Sequence, residues 1–369
     1  MFNPEKELTK LLAQKSWNNS ELFKSDHLKE IARESLYDFE QFMLIVKNAA
    51  PEETVPVMNT YAMHVNKLHD VRDAFEYASI HEQISVLESL LDKHGTDDLL
   101  KEWILVYRLV LSTLSNDLTL QETLDQSRDL YAEVKNPLAR MRLEIVELTT
   151  YFKMGSVRNT LFLADKMRDN FSNIKPGYMK SALASRISLL IGLGKLYGEG
   201  DFEGAEDYFL AVNVNEATPD AVRASSYHAL SDTKLVDNLT LCLEYNKQAI
   251  LFAERAGLTS YKNVLEHEKT AFIKNIYGEI FDISEDTSEE EKIHQHIVRN
   301  QTTRALEMIE QMEVEGKTSL FLLYYKGKAT KDLALLAKAL IDFGIHGQAN
   351  MLPVVQKDIT SINNKEVSI

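Results

Sequence analysis

A single cysteine, Cys242, in 369 residues leaves no internal disulfide and no all-cysteine metal site. Such scarcity fits a reducing compartment. Proline and glycine are few, 7 and 14, which suits long helices with short turns better than a sandwich or barrel. No run of about 18 apolar residues occurs, so no membrane-spanning segment is expected. The start, Met1 to Glu7, has no basic stretch leading into an apolar one, so no secretory leader is expected and a cytoplasmic location is. Positive charge is also short: 41 Lys+Arg stand against 56 Asp+Glu, a net of −15. That balance argues against coating nucleic acid with the whole surface, while leaving room for a small DNA-reading end on an acidic body. Phosphate-binding glycine motifs are missing too, since Gly192 and Gly194 fall inside a helical pattern and read as close packing.

What the chain does have is helical periodicity and apolar content, 44% of residues, enough for a large core. Leu99, Trp103, Val106, Leu109 and Val110 recur at three- and four-residue spacing, the stripe of an α-helix. Ile84, Val86, Leu87, Leu90 and Leu91 repeat it, and no segment alternates convincingly. Strands are not expected.

The punctuation is regular. Asn136-Pro137, Lys175-Pro176 and Thr218-Pro219 each open a helical pattern, where proline's missing N–H costs nothing, and Thr259 is a plausible cap 40 residues after Pro219. Short polar breaks at Met154–Ser156, Gly198–Asp201 and Asp237–Asn238 divide each period into two helices. A helix–turn–helix unit every 40 residues or so points to an all-α, right-handed superhelical solenoid of tetratricopeptide (TPR) type with a small N-terminal helical segment. In the unit around residue 200, small Gly194 and Ala205 would let two helices approach, with Tyr197, Phe202, Tyr208 and Phe209 between them. Beyond the acidic junction at 283–292, shorter helices are predicted at 288–299, 301–313, 317–329, 331–343 and 346–358, with a polar tail from Lys357 that frays.

Nothing supports catalysis. His294 and His296, two apart on a helix, point in different directions and would not share an ion without a local break. Cys242 sits in an apolar stretch and reads as a buried, inert thiol. No cofactor or metal is expected. The concave face of a solenoid, by contrast, suits an extended peptide, because polar side chains from successive repeats can satisfy its backbone. Arg186 lies among apolar and small neighbours, where a guanidinium needs a partner: an internal salt bridge, or a peptide carboxylate. Asn159, His228, Asp232, Asn275 and Tyr324 occupy comparable positions. Each is open to a structural or a ligand-binding reading.

Several short segments carry a family resemblance: Ser35–Phe39 with Phe42–Val46, Arg72–Ala78, Asn136-Pro137, Ser185–Ile187, Lys274–Tyr277 and Tyr324–Lys328. In this order, over about residues 35 to 355, the chain resembles the arbitrium peptide receptors (AimR) of temperate phages of bacilli. These are TPR pheromone sensors related to the Rap and PlcR proteins. The resemblance implies a cytoplasmic homodimer whose N-terminal end binds promoter DNA. A short secreted signalling peptide, reimported by the host, would enter the TPR groove and stop activation of a promoter that favours lysis. Arg186 would match a groove arginine, Asn275 and Asp232 would be groove residues, and C-terminal helices would supply dimer contacts. On this reading residues 1–34 are a degenerate helix-turn-helix end, 35–282 the peptide-groove repeats, and 283–369 the C-terminal repeats with dimerisation and capping.

Two departures qualify the match. Residues 1–34 hold room for helices at 4–16 and 19–34, with Lys10, Lys15, Lys24, Lys29 and Arg33 as candidate phosphate contacts. That segment carries six Lys/Arg and six Asp/Glu, a neutral balance where DNA affinity draws on several phosphate contacts. Residues 344–350 carry no acid where the family has one facing the peptide's basic side chain. The alternative is therefore a Rap-type protein that inhibits a protein partner under peptide control without touching DNA.

Overall fold

The computed structural model describes residues 2–15, 25–172 and 174–366. Among these residues there are 21 α-helices, three short 3-10 turns, two π-helical turns and no strand. None of the helices is long and apolar enough to cross a membrane. The chain divides into two compact units, Met1–Thr150 with Met167–Ala184, and Tyr151–Lys166 with Ser185–Ile369.

The first unit begins with α1 (Pro4–Lys15), α2 (Ser25–Glu34), α3 (Phe39–Ala49), α4 (Thr54–His64) and α5 (Leu68–Ile80). It continues through α6 (Ile84–Lys93), α7 (Lys101–Leu114), α8 (Leu120–Glu133) and α9 (Pro137–Lys153). Helix starts are set locally. Asp38 accepts from the Gln41 N–H to cap α3, and Thr119 with Glu122 forms a capping box on α8. The Asn136 side chain accepts from the Leu138 and Ala139 amides, and Pro137 is the first residue of α9. Phe39 gathers the aromatic core, with Tyr61, Tyr77 and Tyr178 ring centroids at 5.9, 5.7 and 4.8 Å. Deeper in, Glu76 of α5 accepts from Tyr107 of α7 at 2.7 Å and from Arg142 of α9 at 2.9 Å.

Two sequence expectations shift here. Trp103, Val106, Leu109 and Val110 are buried as the stripe requires, but Leu99 is 68% exposed and Leu100 takes the interior place. The cause is Asp97, whose carboxylate binds the Leu99 amide and starts a 3-10 turn ahead of α7. The second N-terminal helix, predicted from residue 19, is described only from Ser25. Lys24 and the Lys15 side chain lie outside the described residues.

Three helices, α9, α10 (Val157–Ser172) and α11 (Tyr178–Leu193), run from one unit's residues into the other's. The second unit then holds α12 (Phe202–Val214), α13 (Asp220–Thr233), α14 (Leu239–Arg255), α15 (Thr259–Asn263) and α16 (Thr270–Ile276). It ends with α17 (Glu289–Val298), α18 (Thr302–Val314), α19 (Leu320–Thr330), α20 (Leu333–Ile345) and α21 (Leu352–Glu366). The 40-residue starts are real helix starts at Tyr178, Asp220 and Thr259, although Leu258, not Thr259, is the capping position. The polar tail does not fray at Lys357: α21 continues to Glu366, because Ile359 and Ile362 reach the C-terminal core.

Close packing by glycine is confirmed with different partners. A Cβ on Gly192 would stand 2.6 Å from the Phe209 ring of α12, and one on Gly194 would stand 2.6 Å from Leu161 of α10. Ala205, Phe209 and Leu196 are fully buried, with Tyr197 and Phe202 packed against them.

Candidate functional site

The α11, α13 and α15–α16 segments are the opening helices of successive hairpins, and two of them depart from α geometry. After Leu193 the chain continues as a π turn, Gly194–Glu199, and α15 runs into α16 through another, Val264–Lys269. Single π turns inside helices recur at functional sites. Gly200 ends the first in the left-handed region, φ 69°, with its N–H on the Lys195 carbonyl.

Both π turns aim a side chain at Asp232 of α13. Tyr197 donates its hydroxyl to Asp232 at 2.8 Å, and Lys269 donates to the other carboxylate oxygen. Asp232 is 3% exposed. Burial pushes its carboxyl up, but Lys269, His228 and the hydrogen bonds from Lys269 and Tyr197 together hold it below the usual carboxylate value. One turn earlier, His228 bonds the Tyr261 hydroxyl at 2.8 Å. Burial and the nearby Lys269 charge push its imidazole down to about 4, so it is neutral at pH 7. Tyr261 is pushed up to about 12 by burial.

Beside the first π turn lies a cavity of about 660 Å³. It is lined by Gly155, Ser156, Val157 and Asn159 at the start of α10, and by Gly198 of the π turn. Opposite are Leu340, Ile341, Gly344 and Ile345 of α20, Gly347 of the following turn, and Leu352 and Gln356 of α21. Ile341 and Ile345 are 61% and 71% exposed. The lining is mostly apolar, with Asn159, Ser156 and Gln356 as the polar side chains, and its size is that of a ligand pocket.

The candidates read from sequence thus separate. Asn159 lines the cavity. His228 and Asp232 come together, four residues apart on α13, and Arg186 is half-buried on the helix that leads to Tyr197. Asn275 and Tyr324 are fully buried and engaged within the chain. The Asn275 amide donates to the Glu291 carboxylate at 2.9 Å and accepts from Gln295 at 2.7 Å. Tyr324 donates to Asp358 at 2.5 Å. Lys269, Tyr261 and the hydroxyl role of Tyr197 were not legible: Glu266-His-Glu-Lys269 looks like a solvated charged run, and no sequence pattern announces a π turn. His294 is buried against Glu291 while His296 bonds Gln301 at the surface, so the two imidazoles diverge. Cys242 is buried, and its thiol is pushed up to about 11 by burial.

At the N-terminal end, Lys10 is exposed and pairs with Glu7 at 2.5 Å, Lys29 is half-buried and Arg33 is exposed.

Two solved structures share this fold. The chain is similar to a selenomethionine-substituted phAimR, with a TM-score of 0.70 and 15% identity, covering 89% of this chain and 86% of that one. It is similar to phAimR with its ligand at a TM-score of 0.67 and 15% identity, covering 89% and 98%. No curated protein sequence matches. The profile of the AimR transcriptional regulator-like family matches residues 54–353. By that match, over most of its length, the chain belongs to the AimR transcriptional regulator-like family, a family of non-enzymatic receptors.

Proposed function

We propose that the chain is a peptide-sensing transcription regulator of phage origin that acts in the lysis–lysogeny decision as a cytoplasmic homodimer. The observation that carries the reading is the cavity beside the first π turn, backed by the Tyr197–Asp232–Lys269 cluster. A short signalling peptide occupies the cavity, where Asn159 serves its backbone, and runs on to Arg186 of α11, outside the cavity lining, which takes its carboxylate. His228 and Asp232 act from the helix behind, and Asn275 and Tyr324 support the site through their buried bonds. Binding favours one conformation of a two-state dimer and shifts the population toward it. A full reversal takes about 5.5 kcal/mol of differential affinity. The DNA-contacting segment, residues 1–34 with Lys10, Lys15, Lys24, Lys29 and Arg33, then loses its promoter register. Residues 35–282 hold the peptide and 283–369 supply dimer and capping contacts.

Calorimetry with short peptides encoded just downstream of the gene tests the site. Arg186→Ala and Asn159→Ala are expected to weaken binding at least tenfold; unchanged affinity in both removes the assignment. The neutral charge balance of residues 1–34 favours a second reading, a Rap-type inhibitor of a protein partner. A gel shift on the gene's own upstream DNA, with salt dependence recorded, separates the two.

A further inference from the structure

The two π turns are not independent irregularities. Gly198, which lines the cavity, and Tyr197, which binds Asp232, are neighbours in the first turn. Lys269, the other partner of Asp232, is the last residue of the second. One buried carboxylate therefore ties both turns together.

The second turn is further held from α14. Asn246, 1% exposed, donates to the Leu265 carbonyl at 3.1 Å and to the Thr270 hydroxyl at 2.9 Å. Thr270 itself donates to the same Leu265 carbonyl at 3.0 Å. The Leu265 carbonyl also accepts the Thr270 backbone N–H, the five-residue bond of the wide turn, and the two side chains reinforce it there. The first turn is fixed by its close contacts: a Cβ on Gly194 would meet Leu161 at 2.6 Å, and one on Gly198 would meet Val157 at 2.9 Å.

We infer that the turns Gly194–Glu199 and Val264–Lys269 form one two-state element joined through Asp232, with Tyr197 and Lys269 as its positioning residues. A group entering the cavity presses on Gly198 and moves Tyr197. Asp232 then loses one of its two partners, and its hold on Lys269 changes with it. If the second turn relaxes to α geometry, one residue of excess is removed and α16 rotates by about 100°. That rotation carries Asn275 away from Glu291 and Gln295 of α17, so the event at the cavity is read out in the C-terminal helices. Only the trigger rests on the cavity being the peptide site; the joining of the two turns stands without it.

Hydrogen exchange of the full chain, read by mass spectrometry without ligand, tests the joining. Tyr197→Phe, which removes one oxygen from the first turn, is expected to speed exchange at least tenfold at 265–276 as well as at 194–201. Asn246→Ala, which touches only the second turn, is expected to do the same at 194–201. Effects confined in each variant to its own turn would overturn the inference. Asp232→Asn should loosen both turns together; should it fail to fold, the two milder variants still decide. With a downstream-encoded peptide shown to bind by calorimetry, altered exchange at 265–276 supports the relay, and binding with no change there sinks it. Absence of peptide binding defeats the peptide reading, while the ligand-free variants still decide the joining.

Discussion

Glu76 and Arg142, 66 residues apart in sequence, meet at 2.9 Å with side chains 0% and 5% exposed. Removing one partner of such a pair strands a charge in the interior, which typically costs about 3–5 kcal/mol. Glu76→Gln is expected to lower the urea midpoint accordingly. Replacing both residues, Glu76→Leu with Arg142→Met, should recover most of the loss. A single variant as stable as the wild type would show that the pair does not hold α5 to α9.

Gly194→Ala places a methyl where Leu161 already stands. Overpacking of this kind typically costs about 1–3 kcal/mol. The expected result is a lower Tm together with weaker peptide binding, because the turn that carries Gly198 is displaced. Gly257→Ala is a useful contrast: its φ of 70° strains the backbone, yet no neighbour lies within 4 Å of an added Cβ. It should cost stability while leaving binding alone.

His228 gives a pH dependence of known sign. Its folded pKa, about 4, lies below the ordinary 6.5, so the unfolded chain binds the proton first. Stability is therefore lost as pH falls from about 6.5 to about 4, by at most about 3 kcal/mol for this residue. His294, also lowered by burial, acts in the same direction. His228→Gln should flatten the slope of a urea-midpoint profile over that window. A parallel profile would contradict the placement of the imidazole.

Asp73 has the opposite sign. Burial, with the carboxylates of Glu40, Asp70 and Asp38, pushes it up to about 8. The folded chain holds this proton longer than the unfolded one, so the residue erodes stability as pH rises from near 4 through 8. Asp73→Asn should match the wild type near pH 4 and melt several degrees higher above pH 8, within the range a few kcal/mol produces. Equal melting at pH 9 would refute it.

Legibility followed the range of the forces involved. Helix positions after residue 283 were readable because apolar spacing and caps are local: four of the five predicted helices coincide within a few residues with α17 to α20. The last was displaced because Ile359 and Ile362 find a tertiary surface that no local pattern records. Asp232 and His228 stood out as polar residues on an apolar face. Lys269 did not, since it closes the charged run Glu266-His-Glu-Lys269, which has the pattern of a solvated face. Asn275 and Tyr324 stood out for the same reason as Asp232, but their partners are the buried Glu291 and the half-buried Asp358 of the C-terminal helices. A polar residue on an apolar face marks a buried bond; whether that bond is to the chain or to a ligand is decided by distant residues.

The single thiol has a practical consequence. Cys242 is sealed in the interior, and its proton is held to about pH 11. Native protein should thus be almost inert to maleimides at pH 7, and any cysteine introduced at the surface becomes the sole labelling point. Pairs of dyes or spin labels can be installed on the wild-type background, and distances followed by energy transfer or dipolar spectroscopy as peptide is added.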